Sequence, residues 1–460
     1  MNSKFTDLIF INLTYNFYYI CLMRHTIVTL LLAMLLPGIN ASAQAFPDGT
    51  PIPEWFNDVR PTCLKEMGKE YVITSHGVKK DSTIVQTERI QAVIDKVAAS
   101  GGGVVVIPKG TFLSGAIFFK PGVNLYLKKG AVLKCSDDIS DFPVMETRIE
   151  GQCCKYFPAL VNADGCNGFR MGGEGTINGN GLRYWKHFWQ RLEWNPAGTN
   201  KDEMRPRLLF VSNSSDVVVS DLRLKDSPFW TTHFYRCDHV KLIGLTITSP
   251  VKPVRAPSSD ACDIDACTDF LVHGCYMAVN DDAVVLKGGK GPWADTAPEN
   301  GPNERIIIED CEYGFCHGGL TCGSESIHDR NVMLRRCKVE GLDRVLWFKM
   351  RVDTPQLYEH IAVEDITGSA NHFVCVFLWG QFADFGDRKD VPMSYAQDIL
   401  LQRCQVSCKH FFTNETPDDN QFRLARFTFK DLDIDTPDPR RHEETIDGVT
   451  YTNCKIESRQ

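Results

Sequence analysis

Apolar residues in this chain recur in short β-branched runs, not in helical stripes. A repeating unit places a polar residue before three or four mostly apolar positions, then a polar turn, then a second short strand. It starts at Asp216, His239, Asp269, Arg305, Asn331, His360, Asp398, Arg426 and Gly448, with successive starts 23, 30, 36, 26, 29, 38, 28 and 22 residues apart. Such runs predict strands. The shortest spacing fits one rung of three short strands, and the excess fits loops inserted at the turns. Leucines at fixed offsets are absent, which argues against a leucine-rich repeat, and no blade motif of a propeller recurs. The predicted fold is all-β: a single-stranded right-handed parallel β-helix whose coils complete one another's core.

A solenoid end exposes strand edges and needs a cover. Ile90, Val93, Ile94 and Val97 fall at i, i+3, i+4 and i+7, one face of a helix. Asp81-Ser82-Thr83 reads as its N-cap cluster and Gly101-Gly102-Gly103 as its end, so residues 81–100 are predicted to cap the first coil. No C-terminal cap is legible. Arg183–Arg207, with Tyr184, Trp185, Trp189 and Trp194, departs from the rung pattern. So do Gly288–Asn303, Trp379–Pro392 and Lys409–Asn420. These read as long loops of the kind that shape a site on a rigid scaffold.

The N-terminus reads as targeting sequence. Met23-Arg24-His25 supplies a basic start, Ile27 to Leu36 an apolar stretch, and Ala41-Ser42-Ala43 a small-residue cleavage site. The run is too short for a membrane span. Met23 is the expected start and residues 1–22 an upstream extension; an N-terminal anchor is the rival. The expected organisation is leader 1–43, lead-in 44–80 and β-helix catalytic domain 81–460, in a secreted or periplasmic, monomeric protein with no membrane span after cleavage. Its net charge would be about −9, a poor match to nucleic acid. An acidic substrate would need a locally basic cleft.

Eighteen cysteines in an exported chain suggest disulfides. Yet Cys311, Cys337, Cys404 and Cys454 share one place in the repeat, which fits a stacked core residue better. Few disulfides are expected, with Cys316–Cys322 the first pair to check. No metal-like Cys/His spacing stands out.

The sharpest chemistry lies at Asn280-Asp281-Asp282, with Asp260 one coil earlier by a step of 21 residues. Residues one coil apart stack at about 4.8 Å. Crowded carboxylates raise one another's pKa, so one can stay protonated while another stays ionised. Glycosidic hydrolysis needs that division of roles. His317 and Lys349 fall on later rungs in the same register. Singly, each of these residues is as easily a turn or surface residue. The main rival for three carboxylates is a calcium site; the neighbouring His317 and Lys349 favour an acid–base patch without metal or cofactor.

These residues resemble glycoside hydrolase family 28, the polygalacturonase family. Its motifs Asn-Thr-Asp, Gly-Asp-Asp, Gly-His-Gly and Arg-x-Lys correspond here to Ser258-Ser259-Asp260, Asn280-Asp281-Asp282, Cys316-His317-Gly318 and Trp347-Phe348-Lys349. Further matches include Gly173-Glu174-Gly175-Thr176-Ile177-Asn178-Gly179, Ser227-Pro228-Phe229-Trp230 and Gly323-Ser324-Glu325. The resemblance covers residues 71–350 strongly. It implies a pectic poly- or oligosaccharide substrate, metal-free hydrolysis and inversion. Asp281 would be the general acid, with Asp260 and Asp282 activating water. His317 would support the acid's ionisation and Lys349 would hold a substrate carboxylate. Trp230 and Ser258 join the substrate-binding set by motif position.

Two departures change the picture. Trp347 replaces the family Arg and removes a bidentate donor, for which Arg344 or Arg351 is a candidate substitute. Ser258 and Ser259 replace Asn and Thr beside Asp260. The expectation is a secreted, exo-acting, inverting hydrolase of α-galacturonosyl linkages. The alternatives are a hydrolase of branched or rhamnogalacturonan-type pectin, a pectate or pectin lyase, and a non-catalytic glycan-binding β-helix.

Overall fold

The computed structural model describes residues 45–380, 383–415 and 422–459. Residues Phe46–Gln460 form one compact unit, which carries the β-strands. The expected leader and its cleavage site lie outside the described residues. Among the described residues no helix is long and apolar enough to cross a membrane.

This unit forms a right-handed parallel β-helix. One face is a 14-stranded sheet running from Glu70–Val72 to the C-terminal strands. A second stack holds strands such as Arg223–Lys225, Thr246–Thr248 and Tyr276–Ala278. A third holds Thr232–Tyr235, Cys262–Asp265, Val284–Lys287 and Gly318–Cys322. From Lys338–Arg351 onward the last two faces run as one long strand, with a register shift between Glu340 and Leu342.

The repeat starts seen in the sequence are backbone corners. Asp216, His239, Asp269, Arg305, Asn331, His360, Asp398 and Arg426 all have φ of 53–57°. A second left-handed residue follows five positions later, at Asp221, Gly244, Gly274, Asp310, Arg336, Asp365, Arg403 and Asp431. A chain that must turn sharply between two sheets needs φ > 0 there, which short polar residues tolerate best. Long side chains at these corners pair along the axis: Arg305 with Asp269 at 2.7 Å, Arg336 with Asp310 at 2.9 Å, Arg403 with Asp365 at 2.8 Å and Arg426 with Asp398 at 2.7 Å.

Just past the second corner the side chain turns inward. Leu222, Leu245, Cys275, Cys311, Cys337, Ile366, Cys404 and Leu432 stack there in the core. All 17 cysteines from Cys63 to Cys454 are free thiols, so the Cys316–Cys322 pair is not formed; both are buried core residues. A small apolar thiol fits the narrow interior of the coil without a crosslink.

The helix at the N-terminal end spans Thr87–Ala99 and buries Ile90, Val93, Ile94 and Val97. It packs on Gly103–Ile107 and Ile117–Phe119. It starts later than the predicted 81–100. Asp81 instead closes a turn, accepting from Thr83 N at 2.8 Å, and Gln86 occupies the N-cap. Gly103 ends the approach to the first strand: a Cβ there would lie 2.5 Å from Lys69 O. The lead-in crosses the 14-stranded face. Its Phe46 and Phe56 cover Leu271, Ile307, Met333 and Ala362, which point away from the main core.

The segment Arg183–Arg207 is not simply a loop. Leu182–Trp194 is a helix that buries Tyr184, Trp185 and Phe188. Tyr184 Oη donates to Ser136 O at 3.0 Å and Trp185 Nε1 to Ser227 O at 3.0 Å. Trp194 is exposed.

Candidate active site

Asp260 sits two residues before Cys262–Asp265, and Asp282 two residues before Val284–Lys287 on the next rung. The backbone ladder fixes this stacking, with Ala261 N donating to Asp282 O at 2.9 Å. Oxygens of Asp260, Asp281 and Asp282 lie within 4.8 Å of one another. Asp260 and Asp282 are buried, while Asp281 keeps about a quarter of its side chain open. The next rung brings His317: its amide donates to Asp281 O at 2.8 Å and its Nδ1 faces Asp281 Oδ1 at 3.4 Å. Gly318 must be small, since a Cβ there would sit 2.9 Å from Asp282 Oδ1.

Lys349, a rung further on, donates from Nζ to Asp282 Oδ2 at 2.6 Å. Its ammonium also lies 4.0 Å from the Trp347 ring centre and 5.5 Å from that of Trp379. Lys287 pairs with Glu325 at 2.9 Å. Burial raises the Asp260 pKa well above the usual carboxylate range, and the Asp281 charge adds to this. For Asp281 burial alone would raise the pKa, but the His317 hydrogen bond and charge, then Lys349 and Lys287, bring it down to about 2. Burial and charge thus favour the protonated form at Asp260 and the ionised form at Asp281.

The cluster opens into a pocket of about 300 Å³. Of the substrate-binding candidates, Lys349, Arg351, Trp230 and Ser258 line it. Arg344 and Trp347 do not. Arg344 stacks on Trp347 at 3.9 Å and pairs with Asp343, and Trp347 is buried beneath it. Arg351 is bound to Asp353 at 2.7 Å, beside the pocket. Ser258 Oγ donates to Asn200 Oδ1 at 3.2 Å. The neighbouring Ser259 takes a structural place, accepting from Asn280 N at 3.2 Å.

One part of the pocket lining, Glu150, comes from the turn of a hairpin. Met145–Ile149 and Gln152–Tyr156 form an antiparallel hairpin across the third face. It is pinned by a buried pair, Arg148 with Asp265 at 3.0 Å. Arg207 donates to Arg148 O at 2.9 Å and to His233 Nδ1 at 2.6 Å. At the hairpin tip Gly151 packs so closely that a Cβ would lie 2.9 Å from both Gly289 C and Glu325 Cβ. Phe188 and Leu192 of the Leu182–Trp194 helix also line the pocket, rather than the tryptophans of that segment.

A family model described as glycosyl hydrolases family 28 matches residues 118–356. The chain belongs to that glycosidase family. A probable polygalacturonase of Vitis vinifera is 28% identical over 222 residues, 47% of this chain and 42% of the relative. An endo-polygalacturonase of Pectobacterium parmentieri is 26% identical over 246 residues, 52% of this chain and 58% of the relative. The chain thus spans less than two thirds of these relatives' length. Among solved structures, an exopolygalacturonase from Thermotoga maritima superposes with a TM-score of 0.66 at 20% identity, covering 83% of this chain and 90% of that one. The polygalacturonase of Erwinia carotovora gives 0.64 at 18%, covering 82% and 95%. These two likenesses concern the fold.

Glu150 and Lys287 on the lining, Arg255 over His317 and Asp263 beneath the cluster carry no mark in the sequence pattern, while Asn200, Lys290 and Trp379 lie in the segments already read as site-shaping loops. Asp263 is fully buried with neither carboxylate oxygen hydrogen-bonded, and burial raises its pKa well above the usual range despite the opposing charge of Lys287. Its one signal is its place three residues after Asp260. Glu325 lies in a segment already matched to the family.

Proposed function

We propose that this chain is an exported, exo-acting and inverting glycosidase that removes a terminal α-galacturonosyl unit from a pectic chain. The observation that supports the reading is the cluster of three carboxylates opening into a pocket lined by Glu150 of the hairpin turn and by Phe188 and Leu192, which on this reading close one end. A groove open at both ends suits mid-chain cleavage, whereas a pocket closed at one end accepts a chain terminus. Four cations line it; Lys287, Lys349 and Arg351 are each paired with a carboxylate, Glu325, Asp282 and Asp353, which leaves Lys290 as the cation proposed to meet a uronate.

Asp281 is the proposed acid, being the carboxyl that keeps an open face. A bound sugar would strip water from that face and raise its pKa. Asp260, whose environment favours its protonated form, has a carboxylate oxygen within 4.8 Å and would pass its proton to Asp281. Asp260 and Asp282 then act as bases toward water; Oδ1 of each is buried with no protein partner. The cluster is tighter than the roughly 6.5–9.5 Å separation of most inverting pairs. Inversion here requires water to enter beside Asp260 and Asp282, on the side away from the leaving oxygen. Incubation with α-linked oligogalacturonides and product analysis tests the proposal, and an unsaturated product would instead mark a lyase.

A second reading has its own observation. Trp347, in the place of the family Arg, is stacked between Arg344 and Lys349. Without a guanidinium at that position, a galacturonosyl bond to a neutral sugar, as in a rhamnogalacturonan-type pectin, becomes the favoured variant. Export belongs to the proposal as well: N-terminal sequencing of secreted protein should begin near Gln44, and residues 1–22 on that protein would contradict it.

A further inference from the structure

Arg255 reaches His317 from the loop between Thr248 and Cys262. Its Nη2 donates to His317 Nε2 at 2.8 Å and to Asn280 O at 3.4 Å. The other ring nitrogen, Nδ1, faces Asp281. A guanidinium offers donors only. The nitrogen it meets must therefore carry the lone pair, which leaves the proton of a neutral imidazole on Nδ1, aimed at the carboxylate. The arrangement is held from both sides. Trp189 Nε1, on the Leu182–Trp194 helix, donates to Arg255 O at 2.8 Å, and Ala256 N closes the loop onto Pro250 O at 3.2 Å.

The charged groups that face His317 come from three elements. Asp281 lies on the preceding rung and Arg255 on the loop. Asp343 and Arg344 lie on the following rung, where their amides bind Cys316 O and His317 O and their side chains pair with each other. The ring edge of Phe315 lies alongside, with centroids 5.9 Å apart.

We propose that Arg255 is a positioning residue that fixes His317 as the neutral Nδ1–H tautomer and so keeps Asp281 able to carry the proton for the leaving group. This rests on the assignment of Asp281 as the acid. One proton shared by the pair can sit on Asp281 beside a neutral imidazole, or on His317 as imidazolium beside an ionised Asp281. The two states differ only by transfer of that proton. A cation at Nε2 penalises the second state, because the imidazolium would put an N–H and a like charge against the guanidinium. The acid-competent state gains by the same amount.

The test reads the ring directly. Long-range proton–nitrogen NMR, with His317→Gln to identify the signal, should show the Nδ1–H neutral tautomer in the unaltered protein at neutral pH. In Arg255→Ala the ring should take its second proton about one pH unit higher, the scale of a single neighbouring charge. The alkaline limb of kcat/KM should move up with it while the plateau falls about 10-fold, the scale of an outer hydrogen-bond partner. Arg255→Lys should restore the limb. An Nε2–H or imidazolium ring in the unaltered protein, or a limb unmoved by Arg255→Ala, would overturn the proposal. If the ring behaves as expected but no galacturonoside is hydrolysed, the assignment of Asp281 fails and the tautomer assignment stands.

Discussion

Lys349 and Asp282 form a buried ion pair, 2.6 Å from Nζ to Oδ2, at the base of the pocket. The family resemblance gives Lys349 a grip on a substrate carboxylate. Its ammonium instead already neutralises one of the three aspartates, so its loss should reach both folding and turnover. Removing one partner of a buried pair typically costs about 3–5 kcal/mol. Lys349→Met should therefore lower the melting temperature and reduce kcat for uronate and neutral analogues alike. The double variant Lys349→Met/Asp282→Asn should regain stability without activity. A selective loss on uronates, with unchanged melting, would return the Lys to substrate binding.

Asp281→Asn should lose about 10²–10⁴-fold in kcat, the usual worth of a general acid. Asp260→Asn and Asp282→Asn should be similarly severe through loss of the base. Steady-state rates on a defined oligogalacturonide decide this, and near-normal turnover in Asp281→Asn would remove it from the role. Chelation should leave the rate unchanged; a collapse with EDTA would favour calcium at the three carboxylates.

Asp329 offers a pH test of stability. It is fully buried, accepts from Asn303 Nδ2 at 2.8 Å and Ser326 Oγ at 2.7 Å, and burial pushes its pKa to about 7. Its unfolded value is near ~4. The folded state thus binds more protons between these values, so this group's stabilising contribution is full below about pH 4 and is lost as pH rises to about 7. Asp329→Asn keeps an acceptor oxygen and removes the charge. Its melting temperature relative to the unaltered protein should rise steadily across that window and level off above it. A difference independent of pH would show that Asp329 does not titrate there.

The repeat is legible in the sequence because every coil must turn at the same places. Position matters more than residue type: Arg305, His360 and Arg426 adopt the left-handed corner as Asp216 and Asn331 do. Coil length brings the three aspartates together, but the step of 21 read from the sequence stacks Asp260 on Asp281, whereas the ladder's step of 22 stacks it on Asp282. The pocket wall is not legible. Arg148 meets Asp265 across 117 residues of sequence, and no local pattern marks that pairing. The Leu182–Trp194 helix is hidden because its buried face is a short aromatic set, Tyr184, Trp185 and Phe188, in a segment whose tryptophans suggest a loop. Arg255 carries no signal, since its partner His317 is 62 residues away.

The wall can be loosened at its tip. Gly151 has φ of +68° and no room for a Cβ. Gly151→Val should displace the hairpin from Gly289 and Glu325 and open the end proposed to be closed. Chromatography of early products should then show mid-sized oligomers that the unaltered protein does not release. An unchanged product pattern, with the hairpin shifted, would mean that the hairpin does not set the mode of attack.

The most direct measurement is a time course on a defined α-linked oligogalacturonide, with the anomers followed by NMR. The proposed exo mode and the aspartate cluster predict monomeric galacturonate from the first minutes, released in the β configuration. A spread of mid-sized oligomers at early times, or an α-configured product, would contradict the account.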